Sequence, residues 1–132
     1  MTDRLSSARR ILDVQVKLRR IAELKLADLQ RQEQALQSEE TELTRFLGSD
    51  SQFVGVLSSS IVRQLRRNSQ KLKEIRQEKE AQETKVRERA ARVKLSESMI
   101  EVLDREMRRS QEKRELGEVI EQFLGRSDAS FP

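Results

Sequence analysis

Two pairs of carboxylates, Glu39 with Glu40 and Glu78 with Glu80, are the side chains whose type and closeness first suggest acid–base chemistry. Such chemistry needs two carboxyls converging on one substrate inside a site that drives their proton affinities apart. Adjacent or near-adjacent residues on a helix point away from each other, and no cleft is available to desolvate them. The sequence also lacks histidine, the commonest general base and zinc ligand, and cysteine, the source of thiolate sites and disulfides. The expectation is a non-enzymatic chain with no catalytic residue, no metal, no cofactor and no small-molecule substrate.

Phosphate recognition is the second chemistry to weigh. From Arg63 to Lys94 there are twelve Lys or Arg against five Glu. This run has no interleaved aromatics for base stacking, no glycine-rich loop and no nucleic-acid-binding module. A solvated helix face carrying charges at i,i+4 spacing, such as Glu74 and Glu78 beside Lys71 and Lys79, is the plainer reading. Upstream, from Leu26 to Asp50, acids lead: Asp28, Glu33, Glu39, Glu40, Glu42 and Asp50 stand against Arg31 and Arg45. Folded back antiparallel, the acidic stretch lies beside the first half of the basic one. A non-specific binder of nucleic acid or anionic surfaces is therefore the third-ranked function, with a net charge of only +4 behind it.

The elements that carry these residues follow from composition and periodicity. Charged residues make up 38% of the chain and aromatics 3%, with four glycines and one proline, a balance that favours long helices over a globule with a large core. Thr2 or Asp3 can cap a first helix over about 3–47. Its apolar stripe runs through Ile11, Val14, Leu18, Ile21 and Ala22, then Leu29, Leu36 and Leu43, with Phe46 at the alternate heptad position. Lys25, Gln32 and Glu39 interrupt it. Gly48 sits where a helix end favours positive φ, and a compact tip over 48–60 carries one helical turn around Phe53. Ser59 or Ser60 caps a second helix over about 60–124.

In that second helix Leu65, Leu72, Val86, Val93, Ile100 and Met107 hold one heptad position, broken by Lys79. Ile61, Ile75 and Leu103 hold the other, with Asn68, Gln82, Arg89 and Ser96 as polar interruptions that set register or partner. The fold expected is all-α: one coiled-coil domain over 1–132, a long two-helix antiparallel hairpin with the longer helix second and a short disordered tail over 125–132. With residue 47 beside 58, residue 4 lies near 101, and everything after about Val102 overhangs. No apolar run approaches the ~20 residues of a membrane span. No apolar h-region follows the N-terminus, so the expected location is cytoplasmic.

Two surfaces stand out for binding proteins. On the tip side, Phe46, Leu47, Phe53, Val54, Val56 and Leu57 place six large apolar residues within twelve positions, more than a two-helix end can hide. They read equally as a plug closing the hairpin and as a docking knob. Leu43, Ile61 and Leu65 join Phe46, Leu47, Phe53, Val54 and Leu57 as the partner-binding candidates there. On the termini side, Arg105, Arg108 and Arg109 precede the stripe Leu116, Val119, Ile120, Phe123 and Leu124, which has no partner within the chain.

A helix from the N-terminus, a small Gly/Ser/Asp/Phe tip and a longer charged second helix together resemble the flagellar export protein FliJ family and its YscO-type counterparts in injectisomes. The likeness is carried by Gly48-Ser49-Asp50-Ser51-Gln52-Phe53 running into Ile61-Val62-Arg63-Gln64-Leu65-Arg66-Arg67. It is carried also by Lys94 to Glu106 with Glu112-Lys113-Arg114-Glu115. The resemblance implies an antiparallel coiled coil similar to the central stalk of rotary ATPases. Its termini end would enter a hexameric export ATPase, and its tip side would contact the export-gate membrane protein. Escort of other export chaperones and a peripheral position at the inner face of the cell membrane are implied too. The alternative is a generic coiled-coil adaptor, or a homodimeric rod in which residues 102–124 zip onto a second copy.

Overall fold

The structure, a computed structural model, describes residues 2–49 and 54–129, with side chains from Asp3 to Ser49 and from Gly55 to Arg126. It is an all-α hairpin of two helices, α1 (Thr2–Leu47) and the longer α2 (Val54–Ala129). Helix α1 begins at Thr2, so Asp3 lies within its first turn, where a carboxylate complements the positive end of the helix dipole.

The connection differs from the expected tip. Helix α2 starts at Val54, not near residue 60, and continues to Ala129, beyond 124 and through Gly125. Ser58, Ser59 and Ser60 therefore lie inside the helix instead of capping it. The Ser58 hydroxyl folds back to donate to the Gly55 carbonyl at 3.4 Å, and Arg63 Nε donates to the Ser59 carbonyl at 3.4 Å. The first of these bonds satisfies the Ser58 hydroxyl within the helix, and extending an existing helix costs far less than starting one. The turn expected around Phe53 lies outside the described residues, as do residues 130–132 of the expected tail.

At the end of α1, no described glycine has positive φ, so Gly48 is not a left-handed cap. Its N–H continues the helical pattern, donating to the Thr44 carbonyl at 3.2 Å. Ser49 seals the terminus, donating to the Phe46 carbonyl through its N–H at 3.1 Å and its hydroxyl at 2.7 Å. That supplies one of the partners a helix C-terminus lacks.

The chain divides into two compact units, residues 17–91 and residues 1–16 with 92–132. In the first, Ala22 and Leu29 of α1 and Ile61 and Leu72 of α2 are buried, with Leu26, Leu36, Leu43, Leu65, Ile75 and Val86 half-buried around them. The α2 repeat behaves as its spacing predicts, with Asn68 and Gln82 in the seam.

The α1 repeat is displaced by one residue at its alternate position. Leu26, Glu33, Glu40 and Leu47 turn inward, whereas Lys25, Gln32, Glu39 and Phe46 are exposed. The ambiguity arises because both +3 and +4 steps from Leu29 or Leu36 reach the seam side of a 3.6-residue helix. At Glu33 the inward position is matched by two cations on α2, Arg76 and Lys79.

In the second unit the seam begins at Leu5 and Ala8, with Leu12 and Gln15 half-buried behind them. Ile11, Val14 and Ile21, expected in the stripe, are exposed, Ile21 by 62%. On α2, Val93 is only 1% exposed, and Ser96, Ile100, Leu103 and Met107 are half-buried. Leu5 and Met107 line one shallow depression. Starting the seam at Leu5 instead of Ile11 carries the pairing past Val102 to Met107. Every residue described from Arg108 to Arg126 is exposed.

Candidate functional site

In the unit formed by residues 17–91, the seam polar groups fix how the helices meet. Gln82 Nε2 donates to the Ala22 carbonyl at 3.0 Å, a side chain of one helix reaching the backbone of the other. The small Ala22 side chain leaves room for that approach. Asn68 is fully buried; its Oδ1 accepts from Gln64 Nε2 at 3.1 Å, while its Nδ2 has no partner.

Lys79, expected as a break in the stripe on a solvated face, instead occupies the seam. Its Nζ donates to Glu33 Oε2 at 2.9 Å, and Arg76 Nε lies 3.7 Å from Oε1 of the same carboxylate. The Lys79 hydrogen bond holds the Glu33 carboxyl below its ordinary pKa against an opposing desolvation, and the charges of Lys79 and Arg76 add to the lowering. The acidic stretch thus meets the basic one directly at Glu33.

The tip-side candidates divide. Ile61 is buried, and Leu43, Leu47 and Leu65 are half-buried. Ile61 therefore packs within the hairpin and is not offered to a partner. Phe46 and Leu57 are exposed, as are Val56 and Val62; Val62 was missed because it sits between two seam positions, Ile61 and Leu65. Phe53 and the Val54 side chain lie outside the described residues. What remains exposed on the tip side is Phe46, Val56, Leu57 and Val62, of which Val62 lines a shallow depression with Arg63 and Arg66.

The termini-side candidates are all exposed. Arg105 lies 3.8 Å from Glu101 and Arg108 3.2 Å from Asp104, both within their own helix, at geometries that contribute little to stability. Leu116, Val119, Ile120, Phe123 and Leu124 are each at least half exposed, Phe123 by 72%.

The phase of this stripe matters. Extending the seam past Met107 in steps of three and four reaches Ser110, Arg114, Gly117 and Glu121, none of which brings an apolar side chain. The apolar residues have moved roughly 100° around the helix, to Leu116, Ile120 and Phe123. Upstream, the same flank carries Leu95, Met99 and Val102, also exposed. Sequence reasoning missed these three because they lie beside seam residues and were absorbed into them.

Among the described residues there is no cluster of groups suited to a metal ion, and no helix is long and apolar enough to cross a membrane. One depression of about 680 Å³ is an open groove lined by Asp3, Leu5, Ser6, Arg9, Arg10, Asp13 and Met107. No family model matches the chain, and comparison with curated proteins and with solved structures found no match.

Proposed function

We propose that this chain is a non-enzymatic docking rod of a type III protein export apparatus, acting as a stalk for the export ATPase and linking it to the export gate. The observation that carries the reading is the exposed end of α2. From Arg108 to Arg126 a continuous helix presents five large apolar side chains that nothing in the hairpin covers. An uncovered amphipathic helix of this kind is the usual form of a protein-binding element. The link to export rests on the resemblance of the tip and of residues 94–115 to FliJ and YscO-type proteins. In this reading the exposed end, with Arg105, Arg108 and Arg109, engages the ATPase ring. The exposed tip-side residues, Phe46 and Leu57 among them, engage the gate, and the hairpin escorts other export chaperones. A rod in a ring biases its subunits only through contacts that differ among their states, so an exposed flank with both charged and apolar positions suits the role.

The test is co-purification at near-physiological salt with the source organism's export ATPase and the cytoplasmic domain of its export gate. The expected outcome is retention by both, with ATPase binding lost on deleting residues 110–132. Phe53→Asp combined with Leu57→Asp should leave helicity intact and weaken gate binding; unchanged gate affinity would remove the tip assignment. Failure of the intact helical chain to bind either protein would leave a general coiled-coil adaptor as the better account. The repeated flank on α2 favours one specific form of that adaptor, a rod that pairs with itself.

A further inference from the structure

We infer that the exposed flank of α2 from Leu95 to Phe123 is self-complementary and docks a second copy of this chain in antiparallel orientation. The inference does not rest on the secretion reading. At alternating steps of four and three, the flank reads Leu95, Met99, Val102, then Glu106, Arg109, Lys113, then Leu116, Ile120, Phe123. This places three apolar positions on each side of a charged centre. All nine residues lie in one compact unit, and all are exposed. Glu106, Arg109 and Lys113 take part in no ion pair or side-chain hydrogen bond among the described residues.

An antiparallel pair joins residues whose numbers add to a constant. When that constant is 215, Leu95 meets Ile120 and Met99 meets Leu116, while Glu106 meets Arg109, each contact occurring twice by symmetry. Val102 then meets Lys113, whose aliphatic stem covers it while the ammonium reaches water. Arg105 and Glu112 fall beside the charged centre with opposite signs.

Other arrangements lose this match. A heptad shift to 222 sets Arg109 against Lys113 and Glu106 against Leu116. A shift to 208 sets both central charges against apolar residues. A parallel in-register pair opposes Glu106 to Glu106 and Arg109 to Arg109. Like charges placed together and buried unpaired charges are both costly, so the pattern selects one orientation and one register.

The area is sufficient as well. Five large apolar side chains per copy lie in the matched stretch, at roughly 100 Å² each. They bury about 1,000 Å² across the pair before its polar rim and Phe123, which falls opposite Arg92, are counted; that is the area a specific interface must clear. Because this face includes the exposed end of α2, a second copy and any other partner at that end compete for it.

The test is sedimentation of the full chain at near-physiological salt over roughly 1–100 μM, where modest interfaces change occupancy. The expected result is a monomer that doubles in mass with concentration. Arg109→Glu should weaken self-association at least about tenfold, and adding Glu106→Arg to it should restore affinity to within about threefold of the original. The sequence contains no cysteine, so orientation can be read directly. A mixture of Met99→Cys and Leu116→Cys chains should form a disulfide-linked dimer under mild oxidation, and neither chain should do so by itself. A helical chain that stays monomeric throughout leaves the flank to a different protein and overturns the inference. Equal cross-linking of each variant alone, or unchanged affinity in Arg109→Glu, overturns it too.

Discussion

Glu33 and Asn68 show at the level of single residues how a seam with few large side chains is kept in one register. Glu33 takes both Lys79 and Arg76 from the opposite helix, and its folded pKa is lowered. Its contribution to stability is therefore complete well above pH 4.5 and is lost as pH falls through the lower folded value. Glu33→Gln should reduce the urea midpoint at pH 7 and flatten its fall between pH 5 and 3; a parent-like acid slope in that variant would show that the pair does not stabilise the hairpin. Asn68 is different, because it is buried with one amide hydrogen-bonding group unmet. Asn68→Leu should raise stability by about 1–2 kcal/mol, read as a higher urea midpoint, while loosening the choice of register that a buried polar group enforces.

At the scale of elements, the ends of the helices were the least legible part of the sequence. Gly48 and the three serines have the composition of a cap and a turn, yet Gly48 keeps negative φ and the serines sit inside α2. Local preference named the residues that permit a break, and the length of the helix following them overrode it. A methyl group built on Gly48 would meet only the Arg45 and Thr44 carbonyls, at 3.7 and 3.8 Å. Gly48→Ala should therefore leave the fold intact and stabilise it by up to about 1 kcal/mol, measured by thermal unfolding; a clear loss would indicate a strained turn at this point. The α2 seam was legible because Leu65 to Met107 hold a strict seven-residue spacing. The first half of α1 was not, because Ile11, Val14 and Ile21 form a second apolar stripe that competes in sequence with Leu5, Ala8 and Leu12. Burial by α2 chooses between the two stripes, and no property of α1 alone could. Of the candidate surfaces, the stripe from Leu116 to Leu124 was legible for the converse reason: α1 contributes nothing that could cover it.

Across the whole molecule, the residues that bury one another in the hairpin are distinct from the apolar residues left exposed on α2. Burial ends at Met107, while the apolar stripe of α2 continues on a different face to Leu124. A chain ending at Arg109 should therefore unfold within about 2–3 °C of the full chain, since it forfeits little buried surface. A large drop would mean that the terminal segment supports the fold. The most direct test of the central claim is amide hydrogen exchange on the full chain, dilute enough to be monomeric, with and without the export ATPase. The account predicts fast exchange across residues 110–124 in the free chain, strong protection there on adding the ATPase, and little change across the seam from Ile61 to Val93. Exchange across 110–124 that is already slow in the free monomer, or that the ATPase leaves untouched, would contradict it.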